Sequence, residues 1–366
     1  MPKNASRRVL FFSPYPRGEA ASQRFRYEQY FPLLERERIE FDDSPFWDRK
    51  SWSVLYERGN RLSKLAGLVR GFLRRLRALA ILRRYDAVFV HREMAPVGPP
   101  VFEWLVMRLF RKRSVYDFDD AIWMRRASRA NPVADRLRWH SKVGQVCRWS
   151  GRVSCGNEFL ADFARRHNPD VVVNPTVVDT ENYHCLVSED SGARVIGWTG
   201  THSTIPYLQP LMPVLRALRS EYGFAIRVIA DHVPDFDADI IEFVPWSKES
   251  EIGDLLVVDI GLMPLPDTEW GRGKCGFKIL QYMALGIPPV ASNVGVNADI
   301  IEHGVDGLLC ANLGEWKDNL ARLLADGELR RNIKAAARRK VIDRYSVAGN
   351  GPAFLATLNG LRTEAR

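Results

Sequence analysis

The chain has 366 residues, 46% of them hydrophobic, which is enough for two globular domains with a core each. No run of about 18 apolar residues appears, and Met1-Pro-Lys-Asn-Ala-Ser-Arg-Arg leads into a strand without a signal-peptide core, so a cytoplasmic protein is expected. The net charge of +9 is concentrated in one segment and comes with no nucleic-acid reader motif, and Cys147, Cys155, Cys185, Cys275 and Cys310 are odd in number with no C-x-x-C pair, which argues for reduced cysteines and against a zinc or redox motif.

Residues 8–179 alternate apolar runs with helical patterns, the signature of a parallel sheet covered on both faces. The spacing predicts strands at Val9–Ser13, Ile39–Asp42, Ala87–His91, Ser114–Asp117, Val153–Gly156 and Val171–Asn174. Helices are predicted near Ser22–Glu37, Val101–Lys112, Asp135–Arg148 and Glu158–Arg166. No G-x-G-x-x-G run follows the first strand, which counts against a nicotinamide or flavin enzyme.

Between the second and third strands, residues 49–84 hold eleven Lys or Arg against one acid, Glu57. Leu62, Leu65, Val69, Phe72, Leu73 and Leu76 recur at three- and four-residue intervals, flanked by Arg61, Lys64, Arg70, Arg74, Arg75 and Arg77. This basic amphipathic helix has two readings: it lies on an anionic membrane surface, or its stripe packs on the sheet and its charges are merely solvated.

His91 closes the third strand, at a cleft edge, and is either a functional residue or a hydrogen-bonded structural one. Asp117, Asp119 and Asp120 follow the fourth strand, where they can orient a hydroxyl, chelate Mg2+ or cap a turn. Asn157 and Glu158 read as a helix cap. The polar stretch Asp179 to Arg194 reads as a hinge.

The alternation restarts at Val195 and continues through Ile226–Ala230, Ile241–Val244, Val258–Leu262 and Pro289–Ser292, with a helical tail from Leu313 to Leu361. After the first of these strands, Gly197-Trp-Thr-Gly200-Thr-His-Ser-Thr204 offers Thr199, Thr201, Ser203 and Thr204 as neutral phosphate donors, with helix capping by Ser203 or Thr204 as a second reading. Trp246 either frames a nucleotide base or packs in the core.

The densest signal is Arg272-Gly-Lys274-Cys-Gly276-Phe277-Lys278 running into Ile279, Tyr282 and Met283 at helical spacing, then Gly286, Pro288 and a short buried strand. A helix start at the carboxyl edge of a parallel sheet presents unpaired amides and a positive dipole end, a ready phosphate site, and Lys278 adds a full charge.

This segment resembles the nucleotide-sugar site of GT-B glycosyltransferases, most closely the retaining family 4 (group 1) enzymes. Lys278, Tyr282, Met283, Ala284, Gly286, Pro288, Val290 and Ala291 match that family's run. Gln281 and Gly273 replace the two Glu of its E-x7-E motif, with Asp267 and Glu269 as nearby substitutes for the first.

The resemblance implies an α/β GT-B fold, two Rossmann-like parallel-sheet domains facing an interdomain cleft. The expected divisions are residues 1–185 on the acceptor side, 190–345 on the donor side, and a final helix, 346–366, crossing back to the first domain. It implies transfer of a sugar from a nucleoside-diphosphate sugar to a hydroxyl acceptor with retention, without a cofactor or essential metal. His91, Lys278, Arg272 and Lys274 are the expected catalytic groups. Gly18, Gly197, Thr199, Gly200, Thr201, Ser203, Thr204, Trp246, Gly276, Phe277 and Gln281 are expected on the donor, with Gln281 on the ribose, and Arg24, Arg26, Asp117, Asp119 and Asp120 on the acceptor side. The basic segment suggests a lipid-linked or polysaccharide acceptor of the cell envelope and a peripheral position on the inner membrane face. The loss of both motif carboxylates leaves a non-catalytic nucleotide-sugar-binding scaffold as an alternative, and a GT-B-type sugar-nucleotide epimerase as another.

Overall fold

The computed structural model describes residues 7–55, 59–124, 139–189, 192 and 194–359. They form two compact units, one running to Pro175 and completed by residues from Gly351 onward, the other Thr176–Asn350. No helix among the described residues is long and apolar enough to cross a membrane.

In the first unit β1 (Arg8–Ser13), β2 (Glu40–Pro45), β3 (Ala87–His91), β4 (Arg113–Phe118), β5 (Arg152–Cys155) and β6 (Val171–Val173) form a parallel sheet in the order β2-β1-β3-β4-β5-β6. The apolar runs of β1 and β3 are buried along nearly their whole length, as expected for strands covered on both faces. Phe11 stacks on Tyr27 at 5.3 Å and meets Phe89 at 5.1 Å, which fixes the chain after β1 against the sheet. The expected helix over 22–37 is broken into Ala21–Arg24, a 3-10 turn Glu28–Tyr30 and Phe31–Arg36, and that over 101–112 opens into a π turn at Leu105–Leu109. The start expected at Asp135 lies outside the described residues, among which the helix is Lys142–Trp149. Asn157 caps Glu158–Arg165 by accepting from Leu160 N at 2.9 Å.

The basic helix spans Arg61–Ile81, and the structure overturns the reading in which its apolar stripe packs on the sheet. Leu62, Leu65, Val69, Leu73 and Leu76 are all exposed, Leu62 at 84%. The opposite face, with Gly67, Gly71, Arg75 and Ala78, is buried. Small residues allow this: a Cβ on Gly71 would lie 2.5 Å from the Phe46 ring, so the backbone itself is the packing surface. Arg75, expected among the solvated cations, is fully buried and donates to the Met94, Ser44 and Ser13 carbonyls, while burial pushes its pKa down to about 9.

In the second unit β7 (Val195–Gly200), β8 (Ala225–Ala230), β9 (Ile241–Pro245), β10 (Ile260–Met263), β11 (Pro289–Ser292) and β12 (Leu308–Cys310) form a parallel sheet ordered β12-β11-β10-β7-β8-β9. β12 has no counterpart in the sequence reading; it is three residues long and pairs only along β11. Trp198, Leu215, Ile226, Ile260, Val290 and Leu320 share one core. Helices Leu313–Ala325 and Gly327–Arg344 start on Asn312 and Asp326, whose carbonyl or carboxylate oxygens accept from Glu315 N and Leu329 N.

The stretch read as a hinge belongs in its first part to the second unit. Val178 N donates to Tyr345 O, Asp179 caps a turn through Glu181 N and Asn182 N, and Ser188 N donates to Leu285 O. The division falls before it, after Pro175. The helix Val347–Asn359 passes from the second unit into the first, where Phe354 stacks on Tyr30 at 4.1 Å and 7° and Arg152 donates to Ala356 O.

Candidate functional site

In the second unit the helix Phe277–Ala284 starts where the sequence placed it. Its N-cap, Gly276, has φ 66°, and a Cβ there would sit 2.2 Å from Ile300 Cδ1, so glycine is required on both counts. The N-cap, being glycine, offers no side chain to cap this start. Tyr282 ties the helix to two strands: its hydroxyl accepts from Thr199 N at 3.1 Å and donates to Leu262 O at 3.3 Å.

Lys278 lies in the first turn with Nζ 5.0 Å from the centre of the Trp198 ring, and Lys274 Nζ lies 4.6 Å from that of Trp270. Burial, and secondarily the charge of Lys274, lower the Lys278 pKa to about 7. Lys278 therefore does not carry the full fixed charge that the sequence suggested. Arg272, exposed, is held by Asp267 through bonds of 2.7 and 3.0 Å, so Asp267 neutralises that cation rather than facing a sugar.

The loop after β7 is closed by its own hydroxyls. Thr204 Oγ1 accepts from Thr201 N at 3.1 Å, and Thr201 Oγ1 and Ser203 Oγ share a bond of 2.9 Å. The expected helix cap is absent here: the chain continues through 3-10 turns at Ile205–Tyr207 and Gln209–Leu211, and the α-helix begins only at Met212. Thr199 is buried with its amide on Tyr282. Gly197 and Gly200 lie within β7, where a Cβ would meet Val258 and Trp198 respectively, so both serve packing.

Gln281 and Trp246 are both held by protein partners. Gln281, expected on a ribose, is 4% exposed, with its amide nitrogen 3.4 Å from Nε2 of the buried His184. Trp246 is partly exposed and donates its indole N–H to Glu251 at 3.0 Å, and Glu251 also accepts from Tyr183. It is an anchored surface ring rather than a core residue. The face of Phe277 is partly buried at the helix start.

In the first unit the strand ends assemble a buried polar network. His91 Nδ1 lies 2.9 Å from Asp117 Oδ2, Ser154 Oγ donates to Asp117 at 2.7 Å, and Arg26 grips both carboxylate oxygens. Burial by itself raises the Asp117 pKa, but Arg26 and His91 outweigh it and hold the carboxyl well below the ordinary range. An ionised carboxylate only accepts, so His91 donates from Nδ1, and its buried Nε2 has no partner among the described residues. Arg26 and Asp117 are thus an internal ion pair that orients His91, not the exposed acceptor contacts expected.

Asp119 and Asp120 are bound by Arg92 at 2.7 and 3.0 Å, which occupies the oxygens expected to meet a hydroxyl or a metal. Arg24 is buried with its guanidinium 4.8 Å from the Phe25 ring centre. Gly18, at φ 83°, donates its N–H to Glu28 at 2.8 Å. Neighbouring Asp43 has its pKa raised to about 7, first by burial and then by Glu28. Trp198, Asp43 and Arg92 are the neighbours sequence reasoning missed; their signal, a residue within or just after a parallel strand, is shared by too many positions.

Residues 265–340 match the family described as glycosyl transferases group 1. N-acetyl-alpha-D-glucosaminyl L-malate synthase of Bacillus anthracis is 31% identical over 101 residues, 27% of this chain and 25% of that enzyme, so the match spans about a quarter of the relative's length. Among solved structures, Anabaena Alr3699/HepE in complex with UDP aligns with a TM-score of 0.65 at 15% identity, covering 97% of this chain and 100% of that one. Sucrose-phosphate synthase (tll1590) from Thermosynechococcus elongatus aligns with a TM-score of 0.68 at 12% identity over 97% and 99%. These likenesses show the GT-B fold, and together with the family match they support a group 1 glycosyltransferase.

Proposed function

We propose that this chain, a group 1 glycosyltransferase of GT-B fold, moves a sugar from a nucleoside-diphosphate sugar to a hydroxyl acceptor with retention of configuration. The observation that carries the reading is the glycine-started helix at Gly276 with Lys278 and Lys274 beside it, on the segment that matches the family. Alr3699/HepE, which shares the fold, was solved with UDP, which supports a uridine diphosphate donor as the first to test.

In this reading the bond from the sugar's anomeric carbon to the diphosphate breaks as the acceptor oxygen bonds to the same face. The acceptor proton passes to the departing diphosphate oxygen, and no covalent nucleophile is required. Charge growing on the diphosphate is met by the helix amides, by Lys278 and by the hydroxyls of Thr201 and Ser203. His91, oriented by Asp117, keeps the role of sugar contact that the resemblance implies.

The exposed stripe on Arg61–Ile81 supports a second part of the proposal: this helix rests on an anionic membrane surface, and the acceptor is lipid-linked or an envelope polysaccharide. Arg61, Arg70 and Arg77 flank the stripe and are exposed, as a helix lying among acidic headgroups requires.

Incubation with nucleotide sugars tests the transfer. Slow donor hydrolysis releasing the nucleoside diphosphate is expected. Binding without turnover under any acceptor would instead favour a scaffold, a reading to which Gly273 and the buried Gln281 lend weight.

A further inference from the structure

We propose that His202, Asp231 and His232 form a binding site for a divalent transition-metal ion of the zinc class, on the second unit at the ends of β7 and β8. Gly200 pairs with Ala230 in the parallel register of these strands, so His202 and His232 stand at equivalent steps beyond it, with Asp231 between them. Their ligand atoms all lie within 4.8 Å of one another. His202 Nδ1 is 2.7 Å and His232 Nδ1 is 3.4 Å from the Asp231 carboxylate, and the two rings are 5.0 Å apart. A tetrahedral ion with bonds of about 2.1 Å holds its ligands about 3.4 Å apart, a spacing of the same size as those seen here.

The ordinary account of such a group is a surface histidine–aspartate pair. It explains His202, whose amide and ring both bond Asp231. It does not explain a second histidine turned onto the same carboxylate, with both imidazoles about as exposed as surface side chains usually are. Two imidazoles and one carboxylate suit zinc or nickel, whereas magnesium prefers an all-oxygen shell. Three protein ligands leave a coordination position for water or an anion, beside the Thr201–Thr204 loop. The site does not depend on sugar transfer: the ion binds whether or not the chain turns over donor.

Isothermal titration of the untagged, metal-free full chain with zinc chloride, and separately with magnesium chloride, tests this. One zinc per chain is expected, with no saturable magnesium binding. His202→Ala and His232→Ala should each weaken zinc at least about tenfold. Cys185, an exposed thiol, is the competing ligand, and Cys185→Ser should leave the isotherm unchanged. The three ligands are on the surface, so equal thermal unfolding in EDTA verifies that the variants are folded. Zinc binding that is absent, that is unaffected in both histidine variants, or that disappears in Cys185→Ser overturns the proposal.

Discussion

Lys278 holds its ammonium 5.0 Å from the centre of the Trp198 ring, a cation over an aromatic face inside the second unit. The ring favours the charged form, burial opposes it, and burial wins, leaving the pKa at about 7. A lysine poised in this way takes its charge from its ligand.

Nucleotide binding should therefore take up protons. Below about pH 6 Lys278 is already charged and uptake vanishes; above about pH 7 a bound diphosphate raises its pKa and up to one proton enters per nucleotide. Titrations with UDP in buffers of different ionisation enthalpy read this directly. Lys278→Ala should abolish the uptake and slow donor turnover about 100-fold; turnover left intact would remove the segment from the leaving group.

The outward stripe predicts lipid binding. The chain should sediment with vesicles containing acidic phospholipid and remain free with neutral ones. Leu73→Gln with Leu76→Gln should cut the bound fraction at least about tenfold, since each exposed leucine adds roughly 1.5–3 kcal/mol on insertion. Equal sedimentation with both vesicle types would remove the idea.

Asp43 sets a pH dependence of stability. Its pKa in the folded chain, about 7, lies above that of an unfolded aspartate, so the folded state binds more protons between about pH 4 and pH 7. Its contribution is present below pH 4 and is lost as pH rises through 7. Asp43→Asn should thus be more stable than the parent at about pH 8 by roughly 1–2 kcal/mol, partial exposure reducing the full effect, and close to it at pH 4. Denaturant unfolding at the two pH values measures the difference.

Asp117→Asn strands the buried guanidinium of Arg26 and should cost about 3–5 kcal/mol of stability. It also leaves one acceptor oxygen where His91, Arg26 and Ser154 shared two, so His91 is held less firmly. Replacing Arg26 and Asp117 together with uncharged residues should recover part of the stability and none of the donor turnover, because His91 remains unheld.

Most of the fold was legible in the sequence because buried parallel strands are written as continuous apolar runs, as in Val9–Ser13 and Ala87–His91. β12 was not, since Leu308–Cys310 is too short to stand out and owes its pairing to Ala291 and its neighbours. The basic helix shows a different limit. Its periodicity revealed two faces but not which one packs, and the deciding feature was the small size of Gly67 and Gly71. At the site, the helix start and its glycine were readable as local grammar, while the Arg26–Asp117 and Lys278–Trp198 pairings join residues far apart in sequence. Polar residues at strand ends looked equally available; the fold committed Asp119, Asp120 and Asp267 to arginines.

Tyr282 has the broadest consequence. One phenol receives the Thr199 amide and reaches the Leu262 carbonyl, so it works as a gauge block between the helix Phe277–Ala284 and the strands β7 and β10. That spacing is set by a side chain that needs no ligand of its own, and Tyr282→Phe, which removes both bonds, leaves it to packing alone.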